Sequence, residues 1–241
     1  MMKKSVALLL ALLTLLTLCA CGGTNAPAVT PTAEPVGPTA APTQPVSGDT
    51  KDADGPATGE APTDAPSSGT NILVVYFSRT GEQYTVGVID EGNTAIVAKM
   101  IAEKTGADLY EILPETDYPY TYAELTDVAK KEQNEKARPA IKAELPDVSQ
   151  YDTIFIGAPV WWGDWPMILY TFFESANLSG KNLVPFSTHE GSGLSGFDKK
   201  LASAVPDATV LTGQAFRGND CQNKKDSVSD AIDKWLSGLG L

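Results

Sequence analysis

The sequence of 241 residues is poor in cysteine and histidine. It has three cysteines and a single histidine, His189, and two of the cysteines lie within the first 21 residues. Only Cys221 remains beyond them, and one thiol forms neither an internal disulfide nor a cysteine metal cluster. We interpret Cys221 as a bystander. No metal-ligand cluster and no Ser/His/Asp arrangement is evident, so the sequence assigns no metal site and no catalytic residue.

Basic residues are also scarce, with 18 Lys and Arg against 30 Asp and Glu and a formal net charge of −12. This balance argues against nucleic acid as a partner and against electrostatic adhesion to anionic lipid. It favours either a protein partner with a basic surface or simple solubility. No G-x-x-x-x-G-K-[ST] phosphate loop and no internal repeat occurs.

The N-terminus has the pattern of an export signal. Lys3 and Lys4 precede an apolar run over residues 6–18 that is too short to span a membrane comfortably. The small residues before Cys21 resemble the lipobox of bacterial lipoproteins. That resemblance implies a signal peptide over 1–20, lipidation of Cys21, and a location outside the cytoplasm on the bacterial cell membrane, held by the lipid anchor only. An ordinary secretory signal with an incidental cysteine is the alternative.

Residues 21–70 differ in composition from the rest of the chain. From residue 22 they hold nine of the seventeen prolines and no aromatic residue, Leu, Ile or Met. Such a segment cannot bury enough apolar surface to offset its ordering entropy, so we expect a disordered tether. Residues 71–241 are sufficient for one ordinary domain.

Within 71–241, short apolar runs alternate with helical patterns. Strands are predicted over 71–77, 108–112, 151–160, 182–188 and 209–216, and helices over 94–106, 121–135, 165–176, 197–205 and 225–239. This alternation is typical of an α/β fold with a parallel sheet. Ligands of such sheets bind beyond the carboxyl ends of the strands, so the loops after the first, third and fourth strands are the candidate site.

The first of these loops is Ser78-Arg79-Thr80-Gly81. Hydroxyls and free N–H groups between a strand and a helix suit a phosphate, although Asn93 or Thr94 at the next helix start could equally be an N-cap. The second loop runs from Pro159 through Val160, Trp161, Trp162 and Gly163. One of its tryptophans could cover the core, and exposed indoles suit a planar aromatic ligand. A packing cluster or a partner-binding patch is the alternative.

The third loop contains Thr188, His189, Glu190, Gly191, Ser192 and Gly193. Its G-x-G-x-x-G match follows the fourth strand and lacks an acidic residue about twenty positions on, so it is a poor dinucleotide signature. We interpret it as a glycine-rich loop whose backbone approaches a flat ligand.

Together, the segments "ILVVYFSRTG…GNTA", "FIGAPVWWGDWP" and "STHEGSG" resemble the FMN-binding segments of the flavodoxin-like family, especially members with a P-x-W-W-G second loop. The resemblance covers essentially all of 71–241. It implies a flavodoxin-like three-layer, doubly wound α/β sandwich with a five-stranded parallel sheet in the order 2-1-3-4-5. It also implies FMN at the carboxyl edge of that sheet.

Carried over by motif, the resemblance implies that Ser78, Thr80, Gly81, Asn93 and Thr94 hold the phosphate, with Arg79 among the cofactor-binding residues. The second loop, 159–163, would contact the ring, and the third, 188–193, would border its other side. For His189, a flavin contact and a hydrogen bond to backbone both remain open. Residues 82–92 interrupt the phosphate loop, and we expect a hairpin-like excursion with Gly87 at its middle and with Ser78 close to Thr94.

These features predict an FMN-dependent redox protein, tethered outside the cytoplasm, that exchanges electrons with a partner protein. Two alternatives stay open. One is an FMN-dependent NAD(P)H:quinone-type oxidoreductase, although nothing in the sequence marks a nicotinamide pocket. The other is a non-redox binding lipoprotein. Whether the protein is an enzyme is left undecided.

Overall fold

The computed structural model describes residues 71–241. The predicted signal peptide over 1–20, the lipidation of Cys21 and the tether over 21–70 lie outside the described residues. In the described part of the chain, no helix is long and apolar enough to cross a membrane.

Eight strands and six helices make up the domain described over 71–241. The strands are β1 (Ile72–Tyr76), β2 (Gly81–Gln83), β3 (Gly87–Ile89), β4 (Asp108–Glu111), β5 (Thr153–Pro159), β6 (Asn182–His189), β7 (Thr209–Val210) and β8 (Gln214–Arg217). The helices are α1 (Asn93–Thr105), α2 (Tyr122–Glu135), α3 (Met167–Ser175), α4 (Phe197–Ala204), α5 (Gly218–Asn223) and α6 (Lys225–Leu239). A single 3₁₀ turn, Val148–Gln150, precedes β5.

The main sheet is parallel, with the order β4-β1-β5-β6-β7, and β8 also pairs with β6. Because β7 and β8 together occupy the fifth predicted strand, this is the order 2-1-3-4-5, and that prediction is confirmed. The fifth strand is nevertheless divided. Leu183 pairs with Val210 and Phe186 with Gln214. Between these two pairs lie two residues of β6, 184–185, and three residues of the divided fifth strand, 211–213. One of the two is Pro185, which has no N–H to give to a ladder.

Alternate residues of β1 point to opposite faces of the sheet, as the period of two requires. Leu73 and Val75, with Phe77 directly after the strand, belong to a core shared with α3 and α4. Val74 and Tyr76 belong to a second core shared with α1 and α6. The result is three layers, with the sheet between two sets of helices.

The helix ends follow local chemistry. Gly106 ends α1 in the left-handed conformation, with φ 68°, and its N–H donates to the Ala102 carbonyl. Thr121 caps α2, because its hydroxyl accepts from the Glu124 N–H and donates to the Glu124 carboxylate. The helix α5 was not predicted, because six mostly polar residues carry no recognisable apolar period.

The segment after β1 forms the expected hairpin. β2 and β3 pair antiparallel, with Gly81 opposite Ile89 and Gln83 opposite Gly87. The turn is therefore residues 84–86, and Gly87 begins the returning strand and is not at the apex. Thr85 takes the left-handed φ of 59° within the turn. The hairpin β2–β3 rests on the start of α2, since the Glu82 N–H donates to the Tyr120 carbonyl and the Tyr122 N–H to the Glu82 carboxylate.

Candidate functional site

The three predicted loops border one cavity of about 560 Å³ at the carboxyl edge of the sheet. This volume lies within the range of small-molecule sites, roughly 300–1,000 Å³. From the first loop it is lined by Ser78, Arg79, Asn93 and Thr94; from the second by residues 159–162; and from the third by residues 188–192. From the alternation of strands and helices, the sequence predicted that these loops lie at the carboxyl edge of the sheet, and the structure brings them together there.

The two ends of the interrupted first loop meet. The Ala95 N–H donates to the Ser78 hydroxyl oxygen over 3.1 Å, which joins the end of β1 to the first turn of α1. Gly92 precedes the helix with no side-chain cap, and the first turn of α1 holds no acidic residue. A helix start of this kind carries partial positive charge and suits an anion such as a phosphate. The predicted closeness of the loop's two ends is confirmed.

Gly92 is required by space. A Cβ atom at this position would clash with the Ser78 hydroxyl and would lie 2.7 Å from the Arg79 carbonyl oxygen. The backbone before α1 therefore packs directly on the backbone after β1. Any side chain at residue 92 would separate the two halves of the first loop.

A buried pair of hydroxyls connects the first loop to the third. Thr94 and Thr188 are almost fully buried, and their Oγ1 atoms lie 2.8 Å apart in a hydrogen bond. Behind this pair, Glu190 accepts from the Arg217 Nε at 2.9 Å and from the Asn219 N–H at 2.6 Å. The third loop is therefore fixed both to α1 and to the start of α5.

His189 is held by its own loop. Its Nδ1 accepts from the Gly191 N–H at 2.9 Å, which requires an unprotonated Nδ1. Burial lowers the pKa of His189, the effect of Glu190 opposes that shift, and Arg217 adds to it. The imidazole is thus neutral at physiological pH, with its proton on Nε2. The backbone hydrogen bond foreseen as one alternative for His189 is present, and the ring also lines the cavity.

The second loop turns tightly. Trp161 and Asp164 exchange two backbone hydrogen bonds of 3.0 Å around Trp162 and Gly163, whose φ values are 50° and 74°. Two positive φ values are the mark of a type I′ turn, which favours Asn or Gly and not a bulky residue at its first central position. A tryptophan in this backbone conformation is strained, and such strain is found mainly where a side chain has a function.

The three tryptophans of this loop differ in exposure. Trp165 is 1% exposed, stacks on Phe197 and belongs to the core, as expected for one of the three. Trp161 is half-buried and meets Phe77 and Tyr118 edge to face. Trp162 is 54% exposed, and its Nε1 donates to the Thr126 carbonyl of α2. The two tryptophans that line the cavity are the two that do not fill the core.

Four predicted binding residues do not line the cavity: Thr80, Gly81, Gly163 and Gly193. The hairpin takes the chain away from the site at Thr80, and Gly81 packs against the Tyr120 backbone instead. Gly163 is exposed in the type I′ turn. The carbonyl of Gly193 accepts from the hydroxyl of Ser187 in β6.

Arg79 lines the cavity, but its guanidinium is used elsewhere. It donates to the carbonyl oxygens of Glu82, Pro119 and Tyr120 at 2.6–2.7 Å. Burial lowers its pKa, and Glu82 partly opposes that effect. Its charge therefore holds the hairpin against the start of α2 and is not directed at a bound phosphate.

Seven lining residues were not predicted, and they come from two elements. The hairpin gives Gln83, Tyr84 and Val86, and α2 gives Tyr122, Leu125, Thr126 and Ala129. The α2 residues have the spacing i, i+3, i+4, i+7, which does predict one face of a helix. Nothing in that spacing distinguishes a face against a cavity from a face against the core.

Comparison with known proteins gives a consistent result. A family model described as Flavodoxin matches residues 71–236. A candidate flavoprotein of Bacteroides eggerthii is 31% identical, with a TM-score of 0.58, over 72% of this chain and 99% of that one. A second, from Bacteroides uniformis, is also 31% identical, with a TM-score of 0.54, over 69% and 99%. A flavoprotein from Lactobacillus acidophilus, solved in complex with FMN, is 22% identical, with a TM-score of 0.50, over 66% and 99%. No curated protein matches.

Proposed function

The chain belongs to the flavodoxin family, and from this we infer that its folded domain binds FMN and carries electrons through it. One observation carries the proposal. Thirteen of the seventeen binding residues predicted from three separate loops line a single cavity, which includes both an anion-suited helix start and two tryptophans. A flat ring system with a phosphate tail needs both features in one site.

The phosphate half of the proposal rests on the first turn of α1. The hydroxyls of Ser78 and Thr94 and the N–H groups at the helix start are the groups that would hold the FMN phosphate. Ser78 and Thr94 are themselves fixed by hydrogen bonds to Ala95 and Thr188, so they need little rearrangement to bind. The close packing at Gly92 keeps this cradle rigid.

The ring half rests on the second and third loops. Trp161 and Trp162 offer aromatic surface for stacking, and the backbone of 189–192 forms the facing wall. Bound FMN supplies the one- and two-electron chemistry, and the protein sets its potential and its access to solvent. Among the described residues that line the cavity, none presents a free cation: Arg79 is bonded to three carbonyls and His189 is neutral. This surround disfavours an anionic reduced flavin and so lowers the reduction potential.

We further propose that the domain is tethered outside the cytoplasm through lipidated Cys21 and exchanges electrons with a partner protein. The lipobox-like sequence at Cys21 and the proline-rich composition of 21–70 support the tether. The excess of acidic residues supports a partner with a basic surface.

The test of the FMN site compares two cofactors. The purified chain, stripped and reloaded, is titrated with FMN and with riboflavin, which lacks the phosphate. We expect the flavin visible spectrum in the purified protein and tighter binding of FMN than of riboflavin. Ser78→Ala should reduce that preference. A protein that takes up no flavin would refute the proposal, and equal affinities would refute the phosphate placement.

A second measurement separates a carrier from an enzyme. NADH is added to the FMN-loaded protein without any reductase. For an electron carrier we expect the flavin absorbance to persist until a redox partner or dithionite is added. Rapid bleaching by NADH alone would favour the NAD(P)H-dependent oxidoreductase instead.

A further inference from the structure

One lysine joins the two loops between which the flavin ring is proposed to lie. The ammonium of Lys200, in α4, donates to the carbonyl oxygen of Gly163 in the second loop and to that of Ser195, shortly after the third loop. We propose that Lys200 is a positioning residue for the flavin, because it fixes the distance between these loops and so the width of the space for the ring. This inference rests on the proposed function, since the ring is what that space would hold.

Lys200 acts through the two loops and does not line the cavity itself. The residues directly before the two carbonyls do line it, over 159–162 in the second loop and 188–192 in the third. A hydrogen bond from a charged donor is roughly twice as strong as one between neutral groups. Two such bonds from a single ammonium therefore oppose any separation of the two walls of the cavity.

The ammonium is bound where the backbone is strained. Four residues of the described chain other than glycine have a positive φ, and two of them are Trp162, with 50°, and Ser195, with 53°. Trp162 directly precedes the Gly163 carbonyl, and Ser195 supplies the other carbonyl. Such backbone conformations persist only where the surrounding contacts hold them. The two bonds from Lys200 supply a contact of this kind at both places.

The helix that carries Lys200 is itself fixed in the core. Phe197 and Leu201 of α4 are fully buried, and Trp165 stacks on Phe197 with ring centroids 3.6 Å apart. The Trp165 Nε1 also donates to the Phe197 carbonyl at 3.3 Å. Because α4 cannot shift without opening this packing, its lysine is a fixed point to which both loops are attached.

The charge of Lys200 is balanced by a carboxylate that has little freedom. The Asp164 Oδ1 lies 3.7 Å from the ammonium, and the side chains of Lys200 and Asp164 are 32% and 23% exposed. The same oxygen accepts from the Trp165 N–H at 2.8 Å and from the Tyr170 hydroxyl at 3.0 Å. With two carbonyls and this carboxylate around it, the ammonium has a partner for each of its three donors.

The binding test separates the ring from the phosphate. Apoprotein carrying Lys200→Met is titrated with FMN and with riboflavin, and the binding is followed by flavin fluorescence. We expect both dissociation constants to rise roughly tenfold or more and by about the same factor, because the two flavins share the ring. A change at the phosphate end, such as Ser78→Ala, should instead weaken FMN more than riboflavin.

Two further variants identify the cause. Lys200→Arg keeps the charge and can donate to two carbonyls, as Arg138 does to those of Lys136 and Ala137, so it should recover most of the lost affinity. Lys199→Met is the matched control, because Lys199 is the preceding residue of α4, is exposed and forms no hydrogen bond or ion pair with another described residue. It should leave both affinities unchanged.

A spectroscopic measurement distinguishes positioning from a general loss of stability. The visible circular dichroism of bound FMN depends on the groups around the ring, so at saturating FMN it should change in Lys200→Met and be kept in Lys200→Arg. Thermal melting shows whether each variant is folded. Lys200→Gln, which keeps a donor without the charge, takes the place of Lys200→Met in every measurement if the methionine variant does not fold.

Hydrogen exchange of the FMN-free chain gives a measurement that needs no flavin. The Asp164 N–H donates to the Trp161 carbonyl, and the Phe197 N–H donates to the Leu194 carbonyl. Both amides lie close to the carbonyls that Lys200 binds. In Lys200→Met their exchange should become roughly tenfold faster or more, while exchange in the hairpin β2–β3 stays the same.

Four results would overturn the inference. They are equal effects of Lys200→Met and Lys199→Met, a loss of affinity for FMN but not for riboflavin, an arginine variant no better than the methionine variant, and a lower melting temperature with an unchanged dichroism of bound FMN. A chain that takes up no flavin refutes the proposed function instead. The exchange measurement on that chain still decides whether Lys200 holds the two loops together.

Discussion

Gly92→Ala gives the sharpest test of the proposed phosphate cradle. A methyl group at residue 92 clashes with the Ser78 hydroxyl and lies 2.7 Å from the Arg79 carbonyl oxygen, well inside ordinary contact distance. The Ser78 hydroxyl is held by the Ala95 N–H and the Arg79 carbonyl is part of the main chain, so the backbone must move. Overpacking of this kind costs roughly 1–3 kcal/mol. The bond from the Ala95 N–H to Ser78, worth about 0.5–1.5 kcal/mol, is the first to be lost.

That strain acts on the groups proposed to hold the phosphate, so FMN affinity should fall. If the whole cost appears in binding, the dissociation constant rises by a factor of roughly 5 to 150, since each 1.4 kcal/mol is about tenfold. The assay is a fluorescence titration of apoprotein with FMN, with riboflavin as the comparison. Riboflavin affinity should change much less, because it has no phosphate to misplace.

Gly238→Ala is the matched control. Gly238 lies near the end of α6, no atom is near its added Cβ, and its φ is not in the left-handed region. Alanine there should leave FMN binding unchanged and stabilise the helix by up to roughly 1 kcal/mol. If Gly92→Ala binds FMN as the unchanged protein does, the cradle is not at the start of α1 and the reasoning fails.

Three further predictions concern neighbouring groups. Thr94→Val and Thr188→Val should each lower the free energy of unfolding by about 1–3 kcal/mol, because each leaves a buried hydroxyl unpaired. In urea unfolding, the double variant should lose less stability than the two single variants lose together. Strict additivity would contradict the pairing. The lowered pKa of His189 means that its neutral form contributes stability above pH about 6.5, which is lost as the pH falls. His189→Gln should therefore lose less stability than the unchanged protein between pH 7.5 and 5.5. Parallel curves of unfolding free energy against pH for the two proteins would contradict this. Cys221 is fully buried and its pKa is raised to about 12, so a thiol reagent should label it only after denaturation, judged against Cys221→Ala; rapid labelling of the native chain would show that this site opens.

Much of the fold could be predicted because β1 and β5 are short, largely apolar runs, and such runs form strands buried on both faces. The division of the fifth strand was not predicted. It depends on Pro185 in β6 and on Gly213, whose backbone approaches the Pro185 carbonyl so closely that a Cβ would lie 2.6 Å from that oxygen. A contact between residues 28 positions apart leaves no pattern within either segment.

Some residues of the candidate site could likewise be predicted from the sequence, and others could not. Ser78 and Thr188 could be located from strand ends alone, because parallel strands bring their carboxyl ends to one edge. Thr94 lies at the start of α1, and its place in the site followed from the family resemblance. The direction of the Arg79 side chain could not be predicted, because the three carbonyls that it meets, those of Glu82, Pro119 and Tyr120, belong to the hairpin and to the segment before α2. The contribution of α2 could not be predicted from its sequence, since Leu125 and Ala129 fit a core-facing stripe equally well.

The hydrogen bond between Ser78 and Ala95, which joins the residues on either side of the hairpin β2–β3, also determines how the length of that hairpin can vary. Its two ends are fixed by their own contacts, so a longer or shorter tip would not move the phosphate cradle. Extending the turn at 84–86 would cost mainly loop-closure entropy, about 0.6 kcal/mol for each doubling in length. The length of the tip can thus change while the helix start proposed for the phosphate stays where it is.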